Sequence, residues 1–401
     1  MERTGLTWLG VKNPETVAEH TIICAFAAWV LGRLNNLNAG RLIKAALSHD
    51  LCEVYSGDMT PFWGILPEEK KARKEFLKRW ICLPVKEKEA RNRERFSTEK
   101  KCLLKLTGSL GKKTEKEILN SWLDYEKRFS REGKFARQVD QIEGMLEAIY
   151  HLGKNKRAWV TPWWEEAEET IDDKILLDFL KVIQKKFYGK KLKNYRQLQD
   201  ILDFILEIWK VKKMARHYWN LRHVKKPETV AGHIFTLTIM AWVLGRKKKL
   251  NMEKLLKMAL CHELSAVYTG DTTQYDSVLP KNLAGREKIL KKMLRMTQKE
   301  KQRIFLRDFR QEKKSLEKLT RKLMPSLRRE MLQLWREYRT RSSREGYFLS
   351  QLNVSAVLLQ GLLYEKKDKN FSSAPLWEWA FEISDDPAVC NLLREMKKKF
   401  C

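Results

Sequence analysis

Pro14-Glu15-Thr16-Val17-Ala18-Glu19-His20 returns 213 positions later as Pro227-Glu228-Thr229-Val230-Ala231-Gly232-His233. The same offset carries residues 28–33 (AWVLGR) onto residues 241–246 without a change, Val54-Tyr55 onto Val267-Tyr268 and Gly57-Asp58 onto Gly270-Asp271. Further on it pairs Trp122 and Tyr125 with Trp335 and Tyr338, residues 130–133 (SREG) with residues 343–346, and Pro162 with Pro375. One register therefore holds from Arg3/Arg216 to Pro162/Pro375 with no net insertion. A period this long is the size of a domain, so the chain is a duplicated globular domain and not a solenoid. A length of 401 residues gives each copy enough chain to bury its own core. We place the copies at residues 1–190 and 191–401.

Each copy reads as helix, and the expected fold class is all-α, two tandem helical domains. Asn13 is a candidate N-cap with Pro14 at the first helical position. Val17, Cys24, Ala27 and Leu31 then form an apolar stripe at helical spacing. A second helix is expected over residues 40–55, with Leu42, Ala46 and Leu47 inward, and Gly57 and Pro61 punctuate the segment after it. Helical periodicity returns over residues 115–131 and 134–152. The inter-copy segment falls near residues 185–193, and residues 195–213 read as an apolar-periodic helix leading into the second copy. No alternating run is long enough to suggest a strand.

Composition excludes several classes. The 14 Trp argue against disorder. The N-terminus lacks a basic-then-apolar leader, and the longest apolar run, residues 21–32, is too short to span a bilayer, so a cytoplasmic protein without membrane contact is expected. The seven cysteines (Cys24, Cys52, Cys82, Cys102, Cys261, Cys390, Cys401) form no CxxC pair, which fits reduced thiols better than a disulfide frame or zinc ribbon. The net charge of +29 attracts anions. Because the Lys and Arg are spread along the chain among Glu, this is read as general anion attraction in preference to a defined nucleic-acid footprint.

The first copy places His20 on its first helix, His49-Asp50 on its second and Asp140 on a late one. Taken alone, His20 is a core histidine and His49-Asp50 a chance pair. Together they are neutral imidazoles and carboxylates, the donors that hold a divalent first-row metal, and three helices can bring them to one point. Glu53, four residues after His49, would share its helical face and stand beside that metal as a general acid or base. Asp58, after Gly57, would otherwise be an ordinary turn residue.

Arg3-Thr4-Gly5, residues 14–20, residues 49–61 (HDLCEVYSGDMTP), residues 122–126 (WLDYE) and Val139-Asp140, in this order and spacing, resemble the HD-domain metal-dependent phosphohydrolases, and among them the 5′-deoxynucleotidase-like branch. The resemblance implies tandem HD-type helical domains, with His20, His49, Asp50 and Asp140 as ligands of one divalent metal (Mn, Co, Fe, Zn or Mg). It also implies Glu53 in acid–base chemistry, Asp58 near the sugar and Arg3 near the phosphate. The reaction implied is hydrolysis of a (deoxy)nucleoside 5′-monophosphate to nucleoside and phosphate. One departure stands out: the family's Trp three residues after the Arg is Leu6 in the first copy and Trp219 in the second.

The second copy keeps His233 and His262 but carries Glu263 for Asp50, Asn353 for Asp140 and Ala266 for Glu53. Asn lacks the charge that offsets a divalent cation, and Ala moves no proton. This copy is expected to be non-catalytic, serving structural support or ligand sensing. Related enzymes pair as homodimers, and a fused duplicate would imitate that pairing within one chain. Two other readings compete: another HD hydrolase reaction, on a phosphodiester or an alarmone, and a nucleotide- or nucleic-acid-binding protein with a residual site. Glu53 argues against the pure binder, and the Arg3 segment with Gly57-Asp58 favours the monophosphatase.

Overall fold

In a computed structural model of the chain, residues 1–60, 63–78, 83–153, 157–189, 194–292 and 294–400 are described. Pro61, Cys82, Cys401 and residues 190–193 of the inter-copy segment lie outside them. The described chain forms no strand, only the isolated bridges Glu2–Thr16 and Ala215–Thr229, which sit at equivalent places in the two copies. The all-α expectation holds.

Two compact units divide the chain, Met1–Ile205 and Leu206–Cys401. Unit 1 runs through α1 (Thr4–Trp8), α2 (Val17–Gly32), α3 (Ala39–Ser48), α4 (Glu53–Ser56), α5 (Lys70–Phe76), α6 (Val85–Thr107), α7 (Lys112–Lys127), α8 (Arg131–Leu152), α9 (Arg157–Thr170) and α10 (Lys174–Tyr188). The division falls inside α11 (Arg196–Ile208), later than residues 190/191. The start of α11 is tied to α10: Lys186 Nζ lies 2.8 Å from Asp203 and the Tyr195 hydroxyl donates to Asp178. Unit 2 continues through α12 (Lys210–Lys213), α13 (His217–Leu221), α14 (Val230–Gly245), α15 (Met252–Cys261), α16 (Ala266–Thr269), α17 (Leu283–Leu290), α18 (Gln298–Leu319), α19 (Pro325–Thr340), α20 (Arg344–Lys367), α21 (Ala374–Ile383) and α22 (Pro387–Phe400). Residues 195–213 are therefore two helices that meet at Trp209.

Within unit 1, α2, α3 and α8 pack on one another and α7 closes over α3 and α8. Helix α2 is buried on every side: Ile22, Phe26, Trp29 and Val30 are all within 1 % of full burial. A helix apolar all round is a central helix, which is why a one-sided stripe was the wrong expectation. With its 3-10 extension it runs from Val17 to Asn35, 19 residues, and α20 of unit 2 has 24; both are long and apolar enough to cross a membrane, but most of each apolar window is buried in the protein. The expectation of too short a run therefore fails on length. The start of α2 also differs. Asn13 sits at φ 52°, and the N-cap is Thr16, which forms a reciprocal capping box with Glu19. Thr16-x-x-Glu19 is the sequence signature of that cap.

The repeated SREG motif explains itself here. Ser130 and Ser343 cap α8 and α20 through the amides of Gly133 and Gly346. A Cβ on either glycine would lie 2.2 or 2.4 Å from a backbone oxygen of the preceding helix, Asp124 or Glu337. Only glycine admits so close an approach. The five described cysteines Cys24, Cys52, Cys102, Cys261 and Cys390 are unbonded, as expected for reduced thiols.

Candidate metal centre and active site

The second helix does not run through residues 40–55. It stops at Ser48, residues 49–52 form a turn, and α4 begins at Glu53. The backbone keeps helical dihedrals at His49 (φ −58°, ψ −41°), and the two side chains reach one point from successive positions of this turn. His20 reaches that point from α2 and Asp140 from α8.

Distances show how tightly they meet. His20 Nε2 lies 2.9 Å from Asp140 Oδ1, 3.3 Å from His49 Nε2 and 4.0 Å from Asp50 Oδ2. His49 Nε2 lies 3.1 Å from Asp50 Oδ2 and 3.8 Å from Asp140 Oδ1. Both imidazoles are fixed from behind. His49 Nδ1 faces the Ala46 carbonyl at 2.5 Å, an atom that only accepts, so Nδ1 carries the proton. His20 Nδ1 faces Glu143 Oε2 at 2.5 Å and Glu15 Oε1 at 3.7 Å, again acceptors. In the neutral rings both Nε2 lone pairs therefore point at each other and at two carboxylate oxygens. Such a set needs positive charge at its centre, either protons on the rings or a shared cation. Donors about 2.1 Å from a shared ion lie roughly 3–4 Å from one another, as here, so this donor set fits a divalent metal. The buried carboxylate behind His20 is the usual device that sets the imidazole's tautomer for a metal. Tyr125 donates its hydroxyl to Asp140 Oδ2, leaving Oδ1 for the cluster.

The electrostatics agree. Burial pulls His49 down, yet the Asp50 carboxylate outweighs it and the ring is held above its ordinary value. Burial pushes Asp140 up, yet its hydrogen bond to His20 and the His49 charge hold it well below the carboxylate range. Without a metal the carboxylates thus keep protons on the imidazoles, positive charge that a divalent cation would replace.

Glu53 is different. It is buried, its Oε2 has no hydrogen-bond partner among the described residues, and it is outside the four converging donors. Burial, with Asp50 and Asp58 nearby, pushes its carboxyl up to about 10. Being folded-state raised, this group costs the metal-free protein stability progressively as pH rises above the ordinary 4.5 toward 10, because the unfolded chain gives up the proton and the folded one does not. The scale is on the order of a few kcal/mol by pH 8. Metal-free Glu53→Gln is accordingly expected to melt several degrees above the wild type at pH 8 and close to it at pH 4, read by calorimetry in chelator. A difference independent of pH would show that Glu53 is ionised.

Arg3 precedes α1, and its Nη1 lies 3.7 Å from Asp50 Oδ2. Asp58 Oδ2 accepts the Thr4 backbone N–H at 2.6 Å, so it holds the start of α1 and with it the Arg3 backbone. Beside these groups opens a cavity of about 200 Å³, lined by Arg3, Asp50, Glu53, Asp58, Asp140 and by Trp163 from α9. Another part of its wall is a network that sequence reading missed. Arg95 donates to both Glu99 oxygens at 2.9 Å and to Glu126 at 2.7 Å, and Arg137 donates to Glu126 at 2.9 Å. Glu143 and Arg137 lie one helical turn either side of Asp140 on α8, a spacing that offered the only signal for them.

Unit 2 assembles the same frame without the same charges. Asn353 Oδ1 faces His233 Nε2 at 2.7 Å, and the Asn353 amide donates to the Tyr338 hydroxyl at 2.8 Å. His233 Nδ1 has no hydrogen-bond partner among the described residues, because Ala356 stands where Glu143 does. The proton thus sits on the opposite nitrogen from that in His20. Glu263, the counterpart of Asp50, is taken by Arg216 at 2.9 Å, which also lies 3.3 Å from Asp271. Burial, helped by the Arg216 charge, holds both His233 and His262 below their ordinary value. An arginine thus supplies positive charge to the carboxylate of this frame.

An all-helical domain that gathers a histidine from one helix, a His-Asp pair from a helix end and an aspartate from a late helix defines the HD class, and the chain belongs to the HD domain family, whose profile matches residues 1–175 and 208–378. Both copies are thereby covered. Among curated proteins, 5′-deoxynucleotidase HDDC2 of Mus musculus is 30 % identical over 165 residues, which is 41 % of this chain and 70 % of that protein. The HDDC2 of Homo sapiens is 29 % identical over 167 residues, 42 % of this chain and 69 % of that protein. 5′-deoxynucleotidase hdd1 of Schizosaccharomyces pombe is 24 % identical over 207 residues, 51 % of this chain and 91 % of that protein.

Proposed function

We infer that unit 1 is a metal-dependent phosphomonoesterase that hydrolyses (deoxy)nucleoside 5′-monophosphates, and that unit 2 is non-catalytic. The observation that carries this is the convergence of both Nε2 atoms with Asp50 and Asp140 beside buried Glu53, whose Oε2 has no hydrogen-bond partner among the described residues. The likeness to 5′-deoxynucleotidases supplies the substrate class. His20, His49, Asp50 and Asp140 would hold one divalent metal, which when bound supplies Lewis acidity and lowers the pKa of water. Arg3 meets the phosphate with a guanidinium suited to paired oxygens. Asp58 fixes the Arg3 segment through the Thr4 amide and faces the sugar side of the cavity. Glu53 keeps a proton where the nucleoside oxygen leaves and gives it to that oxygen, then takes one from the next water. Trp163 offers the base an aromatic ring on the cavity wall.

A phosphate-release screen over ribo- and deoxynucleoside 5′-monophosphates, each with Mn, Co, Fe, Zn or Mg, tests the reading. Metal-dependent release from the monophosphates, abolished by chelator, is expected. Release only from a phosphodiester or an alarmone would assign the site to the other HD chemistry.

A further inference from the structure

Unit 2 has kept its cavity while losing its chemistry, and the cavity is larger than that of unit 1: about 530 Å³ against about 200 Å³. That is within the range of small-molecule sites. Its charge has changed sign. The unit 1 cavity is lined by three arginines against seven carboxylates, which calls for a cation. The unit 2 cavity is lined by four basic side chains (Arg216, Lys301, Arg339, Arg341) against three carboxylates (Glu263, Asp308, Glu312). Two of the basic groups are engaged, Arg216 by Glu263 and Arg339 by Glu312 at 2.9 Å. Lys301 and Arg341 are exposed, and Lys301 Nζ lies 3.7 Å from Glu382. The walls carry Tyr218, Phe305 and Trp379.

At the depth of the cavity His262 supplies the second observation. Its side chain is fully buried, its Nδ1 is spent on the Ala259 carbonyl at 2.7 Å, and its Nε2 has no hydrogen-bond partner among the described residues. A bare imidazole nitrogen accepts a hydrogen bond and calls for a ligand N–H or O–H. Aromatic walls, a basic mouth and a buried acceptor together describe an aromatic-ringed, hydroxyl-bearing anion.

We propose that unit 2 binds a nucleoside 5′-monophosphate without metal and without turnover, with its base between Phe305 and Trp379, its phosphate at Lys301 and Arg341, and a donor group on His262 Nε2. The ligand class rests on the reading of unit 1; the location does not. With Ala266 for Glu53 and Asn353 for Asp140 the bound nucleotide meets neither a proton donor nor a fourth ligand charge, so it is held and not consumed.

The test is calorimetric titration of the full chain with deoxyadenosine 5′-monophosphate in chelator, alongside metal-supplemented phosphate release on the same preparations. Saturable binding in chelator is expected, weakened at least about tenfold in Lys301→Gln/Arg341→Asn, as befits loss of charge-assisted contacts, and unchanged in Arg3→Ala. Both substituted positions are exposed, and Asn tolerates the left-handed backbone of residue 341, at φ 53°. Phe305→Ala is the second probe and should weaken binding as well. Absence of saturation at millimolar nucleotide, or binding lost in Arg3→Ala and kept in the double variant, would overturn the proposal. Phosphate release that persists in either case would leave the unit 1 reading standing alone.

Discussion

Asp50→Ala is expected to release its metal and lose phosphate release to background in the same preparation. Asp50 Oδ2 is 3.1 Å from His49 Nε2 and carries one of the two negative charges that converge with the imidazoles. Removing it leaves two imidazoles and Asp140, with Arg3, formerly 3.7 Å from Asp50, facing a cluster of reduced negative charge. A site that loses a charged ligand loses affinity by orders of magnitude, and without the ion water at the phosphorus has no activated form near neutral pH. Elemental analysis and a phosphate assay read the two effects together. Stoichiometric metal in the variant would mean that Asp50 is not a ligand.

Glu53→Ala is expected to separate these effects: activity falls by about 10²–10⁴-fold, the contribution typical of a positioned acid–base group, while metal and nucleotide affinity stay near wild type. The geometry behind this is that Glu53 starts α4, after the turn, and lies outside the four converging donors yet close enough for Asp50 to raise its pKa. Ala266 in unit 2 is this substitution already made. Metal content and nucleotide affinity measured on the same sample decide the reading. Lost metal would make Glu53 a ligand, and near-full activity would give the proton to another group.

What the sequence disclosed depended on which physical constraint left a mark in it. The duplication, the all-helical class and the identity of His20, His49, Asp50 and Asp140 as a convergent set were legible, because metal donors are few in kind and their order in the chain survives folding. The route by which they converge was not. Periodicity carried the second helix through to Tyr55, since Val54 and Tyr55 continue the apolar pattern; in the structure both are exposed, and the helix ends at Ser48, with a turn before α4. Asn13-Pro14 looked like a cap because the dipeptide is common at helix starts, but the competing Thr16-Glu19 box won by satisfying two backbone amides at once. Glu143 and Arg137 were invisible for a different reason. A buried carboxylate behind a histidine has no motif of its own, and only the position of the ring it holds reveals it.

Unit 2 shows the same limit from the other side. The substitutions Asn353 and Ala266 were readable as lost chemistry. That Arg216 would close on Glu263, and that Ala356 in place of Glu143 would leave His233 with the other tautomer, required the arrangement in space.

The four donors of unit 1 are expected to hold one metal and the frame of unit 2 none. Elemental analysis of the full chain after equilibration with excess Mn or Co and removal of free ion tests it most directly, run beside Asp140→Asn, which gives unit 1 the residue found at Asn353. We expect one equivalent per wild-type chain and none in Asp140→Asn. Two equivalents in the wild type, or one retained in the variant, would contradict the account.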